Sequence, residues 1–164
     1  LAPENTLAAM RVGASFSYKM VEFDAKLSQD QVAILMHDSD LERTTDGRGN
    51  AADHPYAVLA KLDAGLWFGA AFRGEPIPSL EAIARYTLAQ NMASNIEIKP
   101  TPGLEVLTGA AIARQAKDNE HQHVGCRDNR HPDICHRCCR LWPRLSTLFN
   151  IAQQNTIIAI PLDF

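Results

Sequence analysis

Residues 20–25 read Met-Val-Glu-Phe-Asp-Ala, and this stretch decides how the chain is expected to fold. Side chains of a β-strand alternate between its two faces, so Glu22 and Asp24 share one face while Val21 and Phe23 share the other. One face is thus acidic and the other apolar. The segment therefore predicts a strand that packs on one side and presents two carboxylates on the other.

Two further segments, residues 32–36 and 95–99, have the composition of strands. In the latter, Asn95, Glu97 and Lys99 share a polar face opposite two isoleucines. Helical patterns begin at four places along the chain. They begin at Pro3-Glu4-Asn5-Thr6, at Tyr56 (ending near Gly65), at an N-capping Ser79 (running to about Gln90) and at Leu104. Strands separated by helices predict an α/β fold with a parallel sheet.

Polar side chains cluster where these strands end. His37 and Asp38 follow the second strand, and Lys99 ends the third before Pro100. Each of these residues alone is typical of a solvated strand terminus. Their occurrence together at the carboxyl ends of strands, where α/β barrels carry their sites, favours a functional interpretation.

The carboxylates of the first strand indicate a cation site. Acidic side chains placed side by side in a covered sheet repel each other and resist desolvation, and a divalent cation removes both costs. Ligation by carboxylate oxygens alone suits Mg²⁺ or Ca²⁺ rather than zinc. An alternative stays open at this point, namely that Glu22 and Asp24 line the solvated face of an antiparallel sheet.

Composition excludes several classes of protein. The chain has 164 residues, 46% hydrophobic, with a formal net charge of −3, which suits a globular domain and gives no basic surface for nucleic acid. No apolar run reaches the roughly 20 residues of a membrane-spanning helix, so membrane insertion is not expected. No signal segment precedes the first motif, and a cytoplasmic location is therefore expected.

Six motifs follow one another over residues 1 to about 115. They are Leu1-Ala2-Pro3-Glu4-Asn5-Thr6, Val21-Glu22-Phe23-Asp24-Ala25-Lys26-Leu27-Ser28, His37-Asp38 with Leu41-Glu42-Arg43-Thr44-Thr45, Asp63-Ala64-Gly65-Leu66-Trp67-Phe68, Ile77-Pro78-Ser79-Leu80 and Asn95-Ile96-Glu97-Ile98-Lys99-Pro100. In order and spacing they resemble the glycerophosphodiester phosphodiesterase family, in the form found in cytosolic bacterial enzymes.

The resemblance implies a TIM-type (β/α)₈ barrel of the phospholipase C-like phosphodiesterase kind. It also implies metal-dependent hydrolysis of small glycerophosphodiesters to sn-glycerol 3-phosphate and an alcohol by histidine acid/base catalysis. Glu22, Asp24 and Glu97 are then the metal ligands, in agreement with the strand faces. His37 is one of two catalytic histidines, expected to act as the general acid, and Lys99 contacts the phosphate.

Other positions of the motifs are less decisive. The resemblance places Glu4 near the site, although a helix start explains it equally well. Trp67 and Phe68 either shape the mouth of the pocket or pack in the core. Gln31 replaces the glycine usual in its turn, which is a minor change only if the backbone there avoids positive φ. The family's other histidine belongs to a His-Arg-Gly segment that lies upstream of the position of Leu1.

Residues 117–164 form an atypical tail rich in cysteine, histidine and arginine, and the only strand expected there is at residues 156–160. One interpretation is a zinc module that uses Cys126, Cys135, His136 and Cys138, although their spacing is irregular. The favoured interpretation is a shifted reading frame rather than a naturally divergent tail, because alanine codons read out of register yield cysteine and arginine. No further barrel strand is recognised before residue 156.

Residues 1–116 are accordingly expected to be the N-terminal part of an incomplete barrel, since a complete one typically needs about 250 residues. Two alternatives to the leading function stay open. The first is a non-catalytic remnant or metal-binding protein of the same family, and the second is a lysophospholipase D-type activity, for which no apolar surface loop is evident. The sequence makes no prediction of oligomeric state.

Overall fold

The computed structural model describes residues 1–118 and 124–127 of the chain. Within these ranges the helices are α1 (Leu7–Ser15), α2 (Tyr56–Leu59), α3 (Leu80–Ala89) and α4 (Glu105–Asp118), with short 3₁₀ turns at Ala51–Asp53 and Ala70–Phe72. The strands are β1 (Met20–Leu27), β2 (Ala33–Leu35), β3 (Ala93–Ile98) and β4 (Val124–Arg127). They form one sheet in the order β2-β1-β3-β4.

The sheet is mixed rather than wholly parallel. β1 and β3 run parallel, as predicted, β4 runs parallel to β3, and this part has the α/β arrangement of an incomplete barrel. The prediction of a parallel second strand is wrong, because β2 pairs antiparallel with β1. The physical reason is the connection: residues 28–32 suffice for a hairpin turn, whereas a parallel crossover needs about a dozen residues or more.

That hairpin turn tests the prediction about Gln31. Its backbone has φ +63°, in the left-handed region that glycine adopts most easily. The turn closes through a hydrogen bond from the Gln31 amide to the Ser28 carbonyl, 3.0 Å long. The backbone at residue 31 therefore does not avoid positive φ. The replacement of glycine by Gln31 is not minor, and Gln31 occupies a strained position.

The helices agree with the predicted segments except for α2. Thr6 caps α1 by accepting a hydrogen bond from the Ala9 amide at 3.2 Å. Ser79 caps α3, as predicted, through the Ala82 amide at 3.2 Å. α2 ends at Leu59 rather than near Gly65. The chain then turns through Gly65, where an added Cβ would lie 2.0 Å from the Phe72 carbonyl oxygen, so only glycine fits.

The expectation that no barrel strand follows residue 116 before residue 156 is also wrong. β4 pairs with β3 over Ser94↔Val124 to Glu97↔Arg127, and it extends the parallel part of the sheet. Four residues without a clear alternation give too little signal for a strand, whereas the exposed edge of β3 offers them a ladder of hydrogen bonds. The expected strand at residues 156–160 and three of the four residues of the zinc interpretation lie outside the described residues.

Two apolar clusters support the fold. The sheet cluster lies between the sheet and its helices; its buried members are Met10, Phe23, Ala25, Leu27, Ala33, Leu35, Leu80, Ile83, Ile96, Ile98, Ile112 and Ala116. The loop cluster lies beneath the long connection from β2 to α3; its buried members are Ile34, Met36, Leu41, Ala51, Leu59, Ala64 and Ile77. The candidate site lies above both clusters.

Candidate active site

The predicted carboxylates come together on β1 and β3. Asp24 lies directly opposite Glu97 in the parallel register, and Glu22 precedes Asp24 on the same face. Each of the three offers an oxygen, and these oxygens all lie within 4.8 Å of one another. Because Asp24 is only 8% exposed and pairs with Glu97 of the parallel strand β3, the alternative of a solvated antiparallel face does not hold for it.

One oxygen of this cluster lacks a hydrogen bond. Asp24 Oδ2 accepts a hydrogen bond from Asn5 Nδ2 at 3.0 Å, whereas Asp24 Oδ1 is buried and has no hydrogen-bond partner. A buried carboxylate oxygen without a partner costs free energy that a bound cation would recover. The donor set consists of carboxylate oxygens, which are the ligands that hard divalent cations prefer. The residues present therefore fit a divalent cation.

Lys99 follows β3 and adds positive charge to this cluster. Its Nζ donates a hydrogen bond to Glu97 Oε1 at 2.8 Å and lies 3.6 Å from Asp24 Oδ1. The side chain is largely buried, with 19% of its surface exposed. Its ammonium group carries three donors, so it can hold a carboxylate and still contact a bound anion.

His37 lies in the turn after β2, on a more exposed part of the site. Its Nδ1 lies 2.7 Å from Asp38 Oδ1, and half of its side-chain surface is exposed. An ionised carboxylate only accepts hydrogen bonds, so Asp38 assigns a proton to Nδ1 and leaves Nε2 as the nitrogen that can exchange a proton. The same cleft is lined by Glu4, Asn5 and Ala64.

Arg43 joins the turn of His37 to the start of α1. Its guanidinium donates to both oxygens of Asp38 and, at 2.6 and 3.1 Å, to both oxygens of Glu4. The hydrogen bond from Arg43 is the main reason why the pKa of Asp38 falls to about 2. The two carboxylates in turn raise the pKa of Arg43 above its usual range. Asp38 is therefore ionised throughout the physiological range.

Lys26 belongs to the site although no role was predicted for it. It follows Glu22 and Asp24 at the same spacing of two residues, it is 2% exposed, and its Nζ donates a hydrogen bond to the Asp38 carbonyl. Burial lowers its pKa to about 8, against the opposing effects of Asp38 and Asp24. Its side chain ties the acidic strand to the turn of His37.

Sequence reasoning missed the roles of Asn5, Lys26 and Arg43. For Lys26 a signal existed, because the alternation that selects Glu22 and Asp24 also selects residue 26. For Arg43 and Glu4, 39 positions apart, no local pattern indicates a contact. The contact of Asn5 with Asp24 spans 19 positions, and no local sequence pattern indicates it either.

Trp67 and Phe68 lie at the surface, each 41% exposed, so the alternative of core packing is wrong for both. Phe68 makes edge contacts with Trp67 and with Phe72. The Trp67 indole donates a hydrogen bond to the carbonyl of Ala64, which lines the cleft beside His37. An apolar surface loop, absent from the sequence-based expectation, is thus present next to the site.

Comparison with known proteins covers most of the chain. The sequence model of the glycerophosphoryl diester phosphodiesterase family matches residues 1–155, and so reaches beyond residue 116. The Bacillus subtilis protein YhdW is 38% identical over 116 residues, which are 69% of this chain and 47% of that protein. The glycerophosphodiester phosphodiesterase of Caldanaerobacter subterraneus is 36% identical over 107 residues, 63% of this chain and 44% of the enzyme. The chain spans about half of the length of these relatives.

Crystal structures with the same fold include a phosphodiesterase of Oleispira antarctica in complex with the product sn-glycerol-3-phosphate. It has a TM-score of 0.78 and 35% identity, and the match covers 88% of this chain and 59% of that one. A glycerophosphodiester phosphodiesterase of Agrobacterium tumefaciens has a TM-score of 0.75 and 25% identity over 86% of this chain and 59% of its own. These neighbours are TIM barrels, which confirms the predicted fold class. Among residues 1–118, no helix is long and apolar enough to span a bilayer.

Proposed function

Because the chain belongs to the glycerophosphoryl diester phosphodiesterase family, we propose that it carries part of an active site that hydrolyses glycerophosphodiesters to sn-glycerol 3-phosphate and an alcohol. The cluster of Glu22, Asp24 and Glu97, with Lys99 beside it, is the observation that carries the proposal. The relative from Oleispira antarctica, which binds sn-glycerol-3-phosphate as product, supports this choice of substrate.

Glu22, Asp24 and Glu97 are proposed to hold a divalent cation, Mg²⁺ or Ca²⁺. When bound, such a cation offsets the negative charge that develops on the phosphoryl oxygens. Asp24 and Glu97 also keep the ammonium of Lys99 at the sheet edge, where the substrate phosphate is proposed to bind. Lys99 thereby supplies a hydrogen-bond donor and a positive charge at the phosphate.

His37 is proposed to act as the general acid that protonates the leaving alcohol. Asp38 holds Nδ1, so proton transfer takes place at Nε2. Since the hydrogen bond from Arg43 lowers the pKa of Asp38 to about 2, this carboxylate stays ionised and stabilises the imidazolium. Arg43 and Lys26 keep the Asp38 turn in place through its side chain and its carbonyl.

The proposal is tested by hydrolysis and by cation binding. Glycerophosphocholine and glycerophosphoethanolamine are offered to the 164-residue chain with Mg²⁺, with Ca²⁺ or with a chelator, and the Caldanaerobacter subterraneus enzyme serves as the assay control. Binding of Ca²⁺ is measured by calorimetry on the same protein. We expect Glu97→Gln to weaken binding about 100-fold, because the charge of the ligands sets the affinity of such sites.

Glu81→Gln is the matched control, because Glu81 is an exposed glutamate of α3 that pairs with Arg85 at 2.6 Å. It is expected to leave cation binding unchanged. Equal affinities for Glu97→Gln and the unmodified chain would refute the assignment of the ligands. Cation binding without turnover would favour the alternative of a metal-binding, non-catalytic member of the family.

The second alternative is activity on lysophospholipids. The exposed Trp67 and Phe68 beside the cleft are the observation in its favour, because an acyl chain needs an apolar surface. Lysophosphatidylcholine offered in the same assay separates the two activities. Turnover of this lipid, together with its loss in Trp67→Ser, would support the lysophospholipase D-type function. The cytoplasmic location stays a prediction.

A further inference from the structure

Asn5 makes a reciprocal contact with the buried carboxylate of the candidate cation site. Its side-chain amide donates to Asp24 Oδ2 at 3.0 Å, and its side-chain carbonyl accepts from the Asp24 amide at 2.9 Å. Both ends of one asparagine side chain thus hold one residue of β1. This pair fixes the rotation of the Asp24 carboxylate relative to its own strand.

The start of α1 does not account for this contact. Thr6 is the N-cap: its hydroxyl accepts from the Ala9 amide and donates to the Pro3 carbonyl at 2.8 Å. The side chain of Asn5 makes no capping bond and instead points to β1. Its backbone has φ +56°, a conformation that asparagine tolerates better than most residues but still at a cost. The helix can begin without the side chain of Asn5.

The contact determines which oxygen of Asp24 is available. Because Asn5 occupies Oδ2, the buried Oδ1 is the oxygen left without a hydrogen bond, on the side of Lys99. Groups that hydrogen-bond a ligating carboxylate orient it and contribute strongly to metal affinity. The geometry of this pair is that of an orienting residue and its ligand.

We propose that Asn5 is a positioning residue that directs Asp24 Oδ1 to a divalent cation, an inference that rests on the cation site of the proposed function. The choice of asparagine follows from two requirements. The left-handed backbone favours asparagine or glycine, and the reciprocal bond to Asp24 needs a donor and an acceptor on one short side chain. Of the two residues, only asparagine meets both requirements.

The test uses Asn5→Gly, which keeps the left-handed backbone and removes only the side-chain contact. Ca²⁺ binding to the 164-residue chain is measured by calorimetry. We expect the affinity to fall at least about tenfold, the usual effect of losing an outer partner of a metal ligand. Asn91→Gly is the matched control, because Asn91 has φ +53° in the exposed turn after α3; its affinity should equal that of the unmodified chain.

An affinity of Asn5→Gly within twofold of the unmodified chain would overturn the proposal. If this variant does not fold, the proposal is tested on the unmodified chain by NMR, through the side-chain amide signals of Asn5. They should shift on addition of Ca²⁺ with the dissociation constant found by calorimetry, and unchanged signals would overturn the proposal. If the unmodified chain binds no Ca²⁺, the cation site of the proposed function fails, and the inference on Asn5 falls with it.

Discussion

Two regions of the molecule hold the two parts of the candidate site, and they differ in how they do so. The carboxylates stand on β1 and β3 above the sheet cluster, where backbone pairing sets their positions. His37 stands in a turn above the loop cluster, where the Asp38–Arg43–Glu4 ion pairs hold it. The proposed cation ligands are thus placed by backbone pairing, whereas the proposed proton donor depends on partly exposed side chains.

The largest effect on stability is expected from truncating a buried side chain in either apolar cluster. Ile96→Ala in the sheet cluster and Leu59→Ala in the loop cluster each remove a fully buried side chain, which costs about 2–5 kcal/mol of unfolding free energy. Of these two residues, only Ile96 lies on β3, the strand that carries Glu97. We therefore expect Ca²⁺ affinity to fall in Ile96→Ala and to be retained in Leu59→Ala.

Urea unfolding gives the stabilities of both variants, and calorimetry below their melting temperatures gives the affinities. Equal losses of affinity would show that the two regions act as one unit. That result would contradict the distinction between the part of the site on β1 and β3 and the part around His37.

The next effect concerns Lys26, which joins the two regions. Burial holds its folded-state pKa at about 8, below the usual 10.5, so the unfolded chain binds more protons between these values. Stability should therefore rise with pH in this window, by about 3–4 kcal/mol at most. Lys26→Met should lack this rise.

The measurement is urea unfolding at pH 7 to 10.5 in the presence of a chelator. Subtracting the curve of Lys26→Met removes the contributions of other groups that titrate at high pH. A parallel pair of curves would mean that Lys26 is not buried as a charge, and the link between the two regions would need another explanation.

A smaller effect is expected from Arg43→Gln. The pairing with Arg43 lowers the pKa of Asp38 below its unfolded value, so its contribution is present above about pH 4 and lost as the pH falls through about 2. Because Arg43 is 45% exposed, the contribution should be at most about 1 kcal/mol. The unmodified chain and Arg43→Gln should converge in stability near pH 2.

Acid unfolding followed by circular dichroism checks this expectation. Arg85→Gln is the control, because Arg85 pairs with Glu81 across one exposed helix turn and has no contact with the site. A constant difference down to pH 2 would show that Arg43 acts through packing rather than through its charge.

The smallest effect, and the only stabilising one, is expected from Gln31→Gly in the turn between β1 and β2. Glycine relieves the φ of +63°, although it adds backbone entropy to the unfolded chain, so we expect a gain of about 0.5–1 kcal/mol. Gln90→Gly, at an ordinary φ of −92°, should have the opposite sign. Thermal melting compares the two, and a loss in Gln31→Gly would show that its side chain has an additional role.

How well the sequence predicts the structure also differs between these two regions. The alternation in β1 and β3 assigned Glu22, Asp24 and Glu97 to polar faces, because the period of a strand assigns faces without knowledge of the rest of the fold. Their proposed role as cation ligands came from the family resemblance. The direction of β2 was mispredicted, since it depends on the length and geometry of one turn. The roles of Arg43 and Asn5 could not be predicted, because their partners are distant in sequence and have no periodic relation to them.

Residues 20–25 by themselves determined a strand with one acidic face, and the motifs around them determined the family. Only the tertiary structure decided which oxygen of Asp24 lacks a hydrogen bond, that Lys26 is buried, and how Arg43 joins the start of α1 to His37. The physical reason is that strand periodicity is a property of the local backbone. Burial and hydrogen-bond partners depend on which distant segments meet in the folded chain.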